Sequence, residues 1–435
     1  MKSFHIITFG CQMNEHDSER IAGILEGLGC ASANADCADI IILNSCSIRE
    51  KAEQKFFSEL GRLKQLKASR PGLKIAVAGC IAQQEGAHIL SRAPFVDMVF
   101  GPSDIAKLAE IIENTASSPV PVIDTQGDPE YHLKRLPTVR ADKVKAWVSI
   151  MYGCDNFCTY CVVPYLRGRE RSRPPLDIVK EVQDLVQQGY KEVTLLGQNV
   201  NSYGSGLEKK IDFPSLLTMV NDNTGMERIR FVTSHPRDLK ERLIQAIRNL
   251  PRVCECLHLP VQSGADPILS AMNRRYTRED YLCKIKMLKD AVPDIVLTTD
   301  IIVGFPGETE HDFSMTMKLL EEVRFDGIFA FKYSRRPGTA ALRLSGHVPE
   351  NVKEGRLTHV LALQKAITLE HNKRHINTVQ EILIDGYSKK GGRLCGRTRG
   401  NKVVNIEAPV NRVGHLANVR ITAAGANSLA GQLCE

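Results

Sequence analysis

Gly153-Cys154-Asp155-Asn156-Phe157-Cys158-Thr159-Tyr160-Cys161-Val162-Val163-Pro164 sets three cysteines in a C-x-x-x-C-x-x-C spacing. Three thiolates this close can bind three corners of an iron–sulfur cube and leave the fourth iron open to a ligand. A structural zinc site needs four protein ligands, and no fourth Cys or His lies nearby. Ferredoxin runs use closer spacing with a distant fourth cysteine, so electron storage alone fits less well. Phe157 and Tyr160, between the thiols, would shield a cluster from water and help set its potential. The stretch directly follows a strand-like run, Ala146–Met151, which places it at a strand end.

That run opens a series. Glu192–Leu196, Ile229–Thr233, Cys256–Pro260, Val296–Val303 and Gly327–Tyr333 also read as strands, with helical patterns such as Leu176–Gln188 and Asp238–Asn249 between them. Six βα units predict a barrel, or a partial (β/α)6 barrel, whose chemistry lies on the loops after the strands. The triplet follows the first strand, where such a barrel keeps its active site. A closing helix is expected over Leu357–His375. Beyond it, Thr378–Asp385, Leu394–Arg399, Val403–Ile406 and Asn418–Thr422 are short alternating segments separated by Gly and Asn, the pattern of a small β-barrel.

Upstream, Phe4–Phe9, Asp39–Leu43 and Leu73–Ala78 read as buried strands, each followed by a helical stretch, so an α/β domain with a parallel sheet is expected. A cysteine stands just after each strand: Cys11, Cys46 and Cys80. The carboxyl ends of parallel strands share one edge, where ligands bind. Three thiols far apart in sequence should therefore converge into a second three-thiolate site. Cys30 and Cys37 fall at the opposite edge and read as packing residues, since free cysteine behaves as a small buried hydrophobe. Residues 115–140, with Ser-Ser-Pro-Val-Pro and Gly-Asp-Pro, have linker composition. The expected domains are 1–118, 140–371 and 372–435.

At 435 residues, 43% apolar and 25% charged, the chain has the make-up of a soluble globular protein with several cores. No apolar run nears the roughly 20 residues that span a bilayer, and the chain opens directly on a strand, so a cytoplasmic protein without a membrane segment is expected. Thirteen cysteines then point to reduced thiols in metal or catalytic use. Of the net charge of +7, the segment from Lys373 onward supplies nearly all, with ten Lys/Arg against four Asp/Glu. A basic tail of this kind suggests a polyanion partner.

Other strand ends carry polar groups: Gln198 and Asn199, then Ser234 and His235, then Gln262-Ser263-Gly264. They could ring a polar cofactor beside the triplet, or simply cap loops. Asp300-Ile-Ile-Val-Gly304-Phe-Pro-Gly307-Glu308 ends a strand in glycines that let backbone approach a ligand. His258 and His235 read as hydrogen-bonded structural histidines rather than metal ligands. Arg167, Arg169, Arg171 and Arg173 alternate after the triplet; in an extended segment they would share one face, suited to bidentate phosphate recognition. Cys254, Cys256, Cys283, Cys395 and Cys434 read as core.

On its Cys154, Cys158 and Cys161 spacing, the sequence resembles the radical S-adenosylmethionine superfamily. The upstream trio and the basic tail narrow the likeness to the methylthiotransferases, over essentially the whole chain: a methylthiotransferase domain, a radical domain and a TRAM domain. Gly10-Cys-Gln-Met-Asn14, Asn44-Ser-Cys-Ser-Ile-Arg-Glu-Lys-Ala52 and Cys161-Val-Val-Pro-Tyr-Leu-Arg-Gly168 look like the branch that acts on tRNA. Ser45 and Leu166 each stand where that branch often has threonine. The resemblance implies 4Fe-4S clusters on both cysteine trios, and S-adenosylmethionine bound near Gln198, Asn199, Ser234, Gly304 and Gly307. It implies methylthiolation of carbon 2 of N(6)-dimethylallyladenosine at position 37 of tRNA. Contacts to RNA are expected from Arg167, Arg169, Arg171, Arg397 and Arg399, with an electron donor such as a flavodoxin or ferredoxin and a monomeric chain. Two alternatives stand beside it: a sister enzyme acting on threonylcarbamoyladenosine in tRNA, and a non-catalytic iron–sulfur RNA-binding protein.

Overall fold

The computed structural model describes residues 2–47, 50–118, 120–127, 135–388 and 391–434. The chain forms two compact units, one of Met1–Ala141, Met151–Asp155 and Val162–Pro174, the other of Asp142–Ile150, Asn156–Cys161 and Pro175–Glu435.

The first unit is built on an all-parallel sheet of six strands. In spatial order these are Ala31–Ser32, Ser3–Phe9, Ile40–Ser45, Lys74–Gly79, Met98–Phe100 and Val122–Asp124. The central strand, Ile-Ile-Ile-Leu-Asn-Ser, is buried along its whole length, which is why its sequence is a continuous apolar run rather than an alternation. Ile41, Leu43 and Val77 pack beneath the helix Glu50–Ser69 through Phe56, Leu60 and Leu63. Part of the expected linker is structured: Val122–Asp124 is the edge strand, paired with Met98–Phe100. Residues 119 and 128–134 of that stretch, and Ile48 and Arg49 of the second motif, lie outside the described residues.

In the second unit two parallel triplets of strands follow one another, Lys145–Ser149, Glu192–Leu196 and Arg228–Phe231, then Cys256–His258, Val296–Val303 and Gly327–Lys332. A single bridge between Ile229 and Val253 links them. Among the described residues the first and last strands do not pair, so the six strands make a partial barrel. The helix Glu350–Lys373 packs on the last strand and leads into a closed barrel of five strands, Val379–Tyr387, Leu394–Thr398, Val403–Ile406, Leu429–Leu433 and Leu416–Ala424. Ile382, Ile384, Val404, Ile406, Val419 and Ile421 fill it.

The small barrel is tied to the strand array by arginines. Arg228 donates to Arg397 O at 2.6 Å and to Glu381 Oε1 at 2.8 Å, and Arg230 donates to Thr398 O at 2.7 Å and Arg399 O at 2.6 Å. Arg399 reaches back as a fork onto both oxygens of Glu255, each at 2.7 Å. Two cysteines expected in the interior are not there. Cys283 is exposed because the helix Arg278–Ala291 buries Tyr281, Ile285 and Leu288, a stripe that leaves position 283 on the far face. Cys37 is exposed on the turn that follows the two-residue strand Ala31–Ser32.

Candidate active site

Three neighbouring strands of the first unit end in register, Phe9 beside Ser45 and Ser45 beside Gly79. Cys46 and Cys80 therefore start adjacent loops, and Cys11 caps the helix Gln12–Gly27 beside them. The local sequence enforces this. Asn44 is fully buried and donates to Asn14 O at 2.8 Å and Ser18 Oγ at 2.9 Å, locking the helix after Cys11 to the strand before Cys46. Gly79 has φ +87°, and a Cβ there would run into the Asn44 side chain.

The thiols meet. A hydrogen bond from the Cys46 thiol pulls Cys11 down to about 5 against the opposing effect of burial, helped by the Arg167 charge and the amides of Asn14 and Met13. Burial pushes Cys80 up, opposed by the neighbouring Arg167 guanidinium. Arg167 itself is buried on Asp17 at 2.8 Å, with side chains 4% and 0% exposed, and Tyr152 donates to the other Asp17 oxygen at 2.9 Å. Arg167 Nη1, Ser45 Oγ and Ser47 Oγ are buried without a hydrogen-bond partner. Desolvated donors around converging thiols fit an anionic inorganic group better than an empty core. Among the described residues no three His, Cys, Asp or Glu side chains stand close enough to hold a single metal ion. A four-iron cube takes its thiolates at separate corners, so its ligands stand wider apart.

Cys154 follows Gly153, whose φ of +75° brings the chain against the backbone of Gly168 and Arg169, and the Cys154 amide donates to Gly168 O at 3.2 Å. Cys158 and Cys161 lie in the second unit on a loop held by residues 271–274. Thr159 donates through its hydroxyl to Ala271 O at 2.8 Å, and Asn273 donates to Phe157 O at 2.9 Å. Arg274, buried, places Nη1 3.3 Å from Cys158 Sγ and 3.3 Å from Tyr160 Oη. This cation beside a cysteine was not evident from sequence, since neighbouring Arg274 and Arg275 look like an exposed basic turn.

At the carboxyl ends of the partial barrel several polar side chains are left without hydrogen-bond partners. Both side-chain polar atoms of Gln198, together with Asn199 Oδ1, Ser234 Oγ, His235 Nε2 and Gln262 Oε1, are buried and lack partners. Burial pushes His235 down to about 2, with Arg274 and Arg237 adding, so its ring is neutral. Its Nδ1 accepts from the Arg237 amide at 3.2 Å, which leaves the proton on Nε2. Native interiors tolerate few such orphans, and a ring of them fits a polar ligand such as S-adenosylmethionine. Gly304 and Gly307 have φ of +70° and +82°, but their amides are already engaged, by Glu308 Oε1 at 2.9 Å and Gly346 O at 2.8 Å. A separate cleft lies on the helical side, between Pro214–Thr218 and Glu241–Leu250.

The four alternating arginines do not share a face. Arg167 and Arg173 are buried, while Arg169 and Arg171 are exposed, because the left-handed Gly168 (φ +75°) turns the chain before the short strand Arg171–Ser172. Arg169 pairs with Asp155 at 2.9 Å. In the small barrel Arg397 lies 3.4 Å from Asp385, and Arg399 is committed to Glu255.

Comparison with known proteins places these features. Residues 3–101 match the family described as "Uncharacterized protein family UPF0004", residues 148–320 the radical SAM superfamily and residues 373–434 the TRAM domain. The chain is 51% identical over 433 residues to a Thermodesulfovibrio yellowstonii protein named tRNA-2-methylthio-N(6)-dimethylallyladenosine synthase, covering 99% of each. A protein of the same name from Caldicellulosiruptor saccharolyticus is 49% identical over 435 residues, 99% of this chain and 92% of that one. Among solved structures, the radical S-adenosylmethionine methyltransferase TsrM of Kitasatospora setae, with tryptophan and an S-adenosylmethionine analogue, shares the fold. Its TM-score is 0.58 at 11% identity, over 84% of this chain and 89% of that one.

Proposed function

The chain belongs to the tRNA-2-methylthio-N(6)-dimethylallyladenosine synthase family of radical S-adenosylmethionine enzymes, and from that we propose how its residues divide the reaction. The protein methylthiolates carbon 2 of N(6)-dimethylallyladenosine at position 37 of tRNA. The observation that supports the residue assignment is the interaction of Cys11 with both Cys46 and Cys80 beside the buried Arg167.

Cys154, Cys158 and Cys161 hold one 4Fe-4S cluster, and Cys11, Cys46 and Cys80 hold a second. When bound, these clusters and S-adenosylmethionine supply a carbon radical for hydrogen abstraction and the sulfur to be inserted. The protein's part is placement. Arg274 fixes the loop of Cys158 and balances thiolate charge, and Arg167 does the same at the other trio. Gln198, Asn199, Ser234 and neutral His235 offer donors and acceptors to S-adenosylmethionine, with Gly304 and Gly307 keeping backbone close. Phe157 and Tyr160 keep water from the cluster.

The TRAM barrel adds charge for the tRNA backbone, so binding weakens with salt. Arg169, Arg171 and Arg397 are the phosphate contacts we favour; Arg167 serves the thiol site and Arg399 anchors the barrel. A first domain extended from the expected 1–118 to take in the edge strand Val122–Asp124, later domains at 140–371 and 372–435, a cytoplasmic setting, a monomeric chain and a flavodoxin- or ferredoxin-type reductant complete the reading. Among the described residues no helix is long and apolar enough to cross a membrane. Mass spectrometry of tRNA nucleosides from cells lacking the protein tests the reading: the methylthio group should vanish from dimethylallyladenosine. Its loss from threonylcarbamoyladenosine instead would support the sister activity.

A further inference from the structure

The partial barrel has one face that its own helices do not cover. Lys332 points to the helix Glu350–Lys373, donating to Glu354 at 3.2 Å and pairing with Glu350. Strand alternation then turns Phe329 and Phe331 to the other side. Register places Phe329 beside Asp300 and Phe331 beside Ile302, with Thr298 between His258 and Gly327. The strand Val296–Val303 makes the contrast plain, for Leu297, Thr299, Ile301 and Val303 are buried while Thr298, Asp300 and Ile302 are only partly so.

This inner face is open and carries two aromatic rings beside Thr298, Asp300 and His258. Phe329 is 54% and Phe331 37% exposed, both on one strand. His258 meets Phe329 edge-to-face with ring centroids 5.8 Å apart, and is itself held by Thr298 Oγ1 at 3.0 Å and Asp300 Oδ1 at 3.4 Å. The amino-terminal end of the face is closed, since a Cβ on Gly400 would press into Val296. Its other end adjoins the ring of unpartnered polar atoms: the Gln262 amide donates to Asp300 O at 2.9 Å and Ile302 donates back to Gln262 O at 2.9 Å.

We propose that Phe329 and Phe331, with the edge of His258, form the seat for the dimethylallyl-bearing adenine, and that Phe329 is a specificity-determining residue. This rests on the tRNA reading above. The chemistry matches the occupant: a nucleobase offers a π-face for stacking, and its N(6) substituent is a branched hydrocarbon that gains by leaving water. Two large aromatics held open at the end of a cofactor site are poor design for a surface facing only solvent.

The test is equilibrium binding of anticodon stem-loop RNA to the reconstituted full-length protein, with adenosine or N(6)-dimethylallyladenosine at the target position. The wild type should prefer the prenylated RNA by about tenfold or more. Phe329→Ala should weaken the prenylated RNA clearly more than the unprenylated one, losing most of that preference, and Phe329→Leu should regain part of it. No preference in the wild type, or a Phe329→Ala that weakens both RNAs equally, overturns the proposal. Methylthiolation of prenylated RNA by the wild type is scored in parallel. Its absence would count against the tRNA reading, whereas activity with an undiminished preference in Phe329→Ala would sink this inference alone.

Discussion

Asp17→Asn is the substitution that most directly probes how the thiol site is held. Asp17 is fully buried, accepts from Arg167 at 2.8 Å and from Tyr152 Oη at 2.9 Å, and lies on the helix that Cys11 caps. Removing one member of a buried ion pair leaves the other charge desolvated and unmatched, a cost of about 3–5 kcal/mol. Arg167 has little else to turn to: Nη1 already lacks a partner, and its remaining neighbours are the thiols and the Tyr152 ring. The chain has two units, so a single global unfolding free energy is ill-defined and a local measure is needed. Hydrogen exchange read on peptides of Gln12–Gly27 in the cluster-free protein serves, because 3 kcal/mol corresponds to a roughly 100-fold or greater rise in exchange rate. Arg167→Met should cost less than Asp17→Asn, since it deletes the charge with the counter-ion able to protonate. The double substitution should cost clearly less than the sum. Exchange in Asp17→Asn within threefold of wild type, or strict additivity in the double variant, would refute the reasoning.

Other outcomes follow from the same geometry. Gly79→Ala forces a Cβ onto Asn44 at φ +87°, so the N-terminal cluster should be lost on reconstitution while the Cys154–Cys161 cluster is retained, as read by iron analysis. Ser234→Ala should weaken S-adenosylmethionine affinity by roughly three- to tenfold in equilibrium dialysis without changing iron content, since it removes a buried orphaned hydroxyl. Arg399→Ala should leave the salt dependence of tRNA binding nearly unchanged but raise protease cleavage at the barrel junction, because its fork is spent on Glu255. Asp326 sits near 2: burial opposes its charge, but His371, Lys402 and the Leu297 amide outweigh that. Its folded pKa lies below the ordinary 3.8, so its stabilisation of about 2 kcal/mol is present above pH 4 and lost as pH falls through 2. In Asp326→Asn the second unit should be less stable at pH 7, with Trp147 fluorescence reporting the shift in denaturant midpoint.

Much of the architecture was legible because buried parallel strands leave continuous apolar runs, and a cysteine follows each of three of them. The placement of Cys11, Cys46 and Cys80 after neighbouring strand ends followed from topology alone. What stayed hidden has physical reasons. The strand Leu429–Leu433 is Leu-Ala-Gly-Gln-Leu, too small and irregular to show alternation, and Val122–Asp124 is too short to show a period. The arginine series does not form one face, because alternation carries a face only where the chain is extended and Gly168 breaks it. Asp17 and Arg274 gave no signal, since buried charges are indistinguishable from surface charges until their partners are known.

The central claim is that one chain carries two three-thiolate cluster sites. Iron and acid-labile sulfide, counted per chain after anaerobic reconstitution, test it most directly. About eight irons are expected in the wild type, falling to about four when either cysteine trio is replaced by alanine. About four irons in the wild type, unchanged when Cys11, Cys46 and Cys80 are removed, would contradict it.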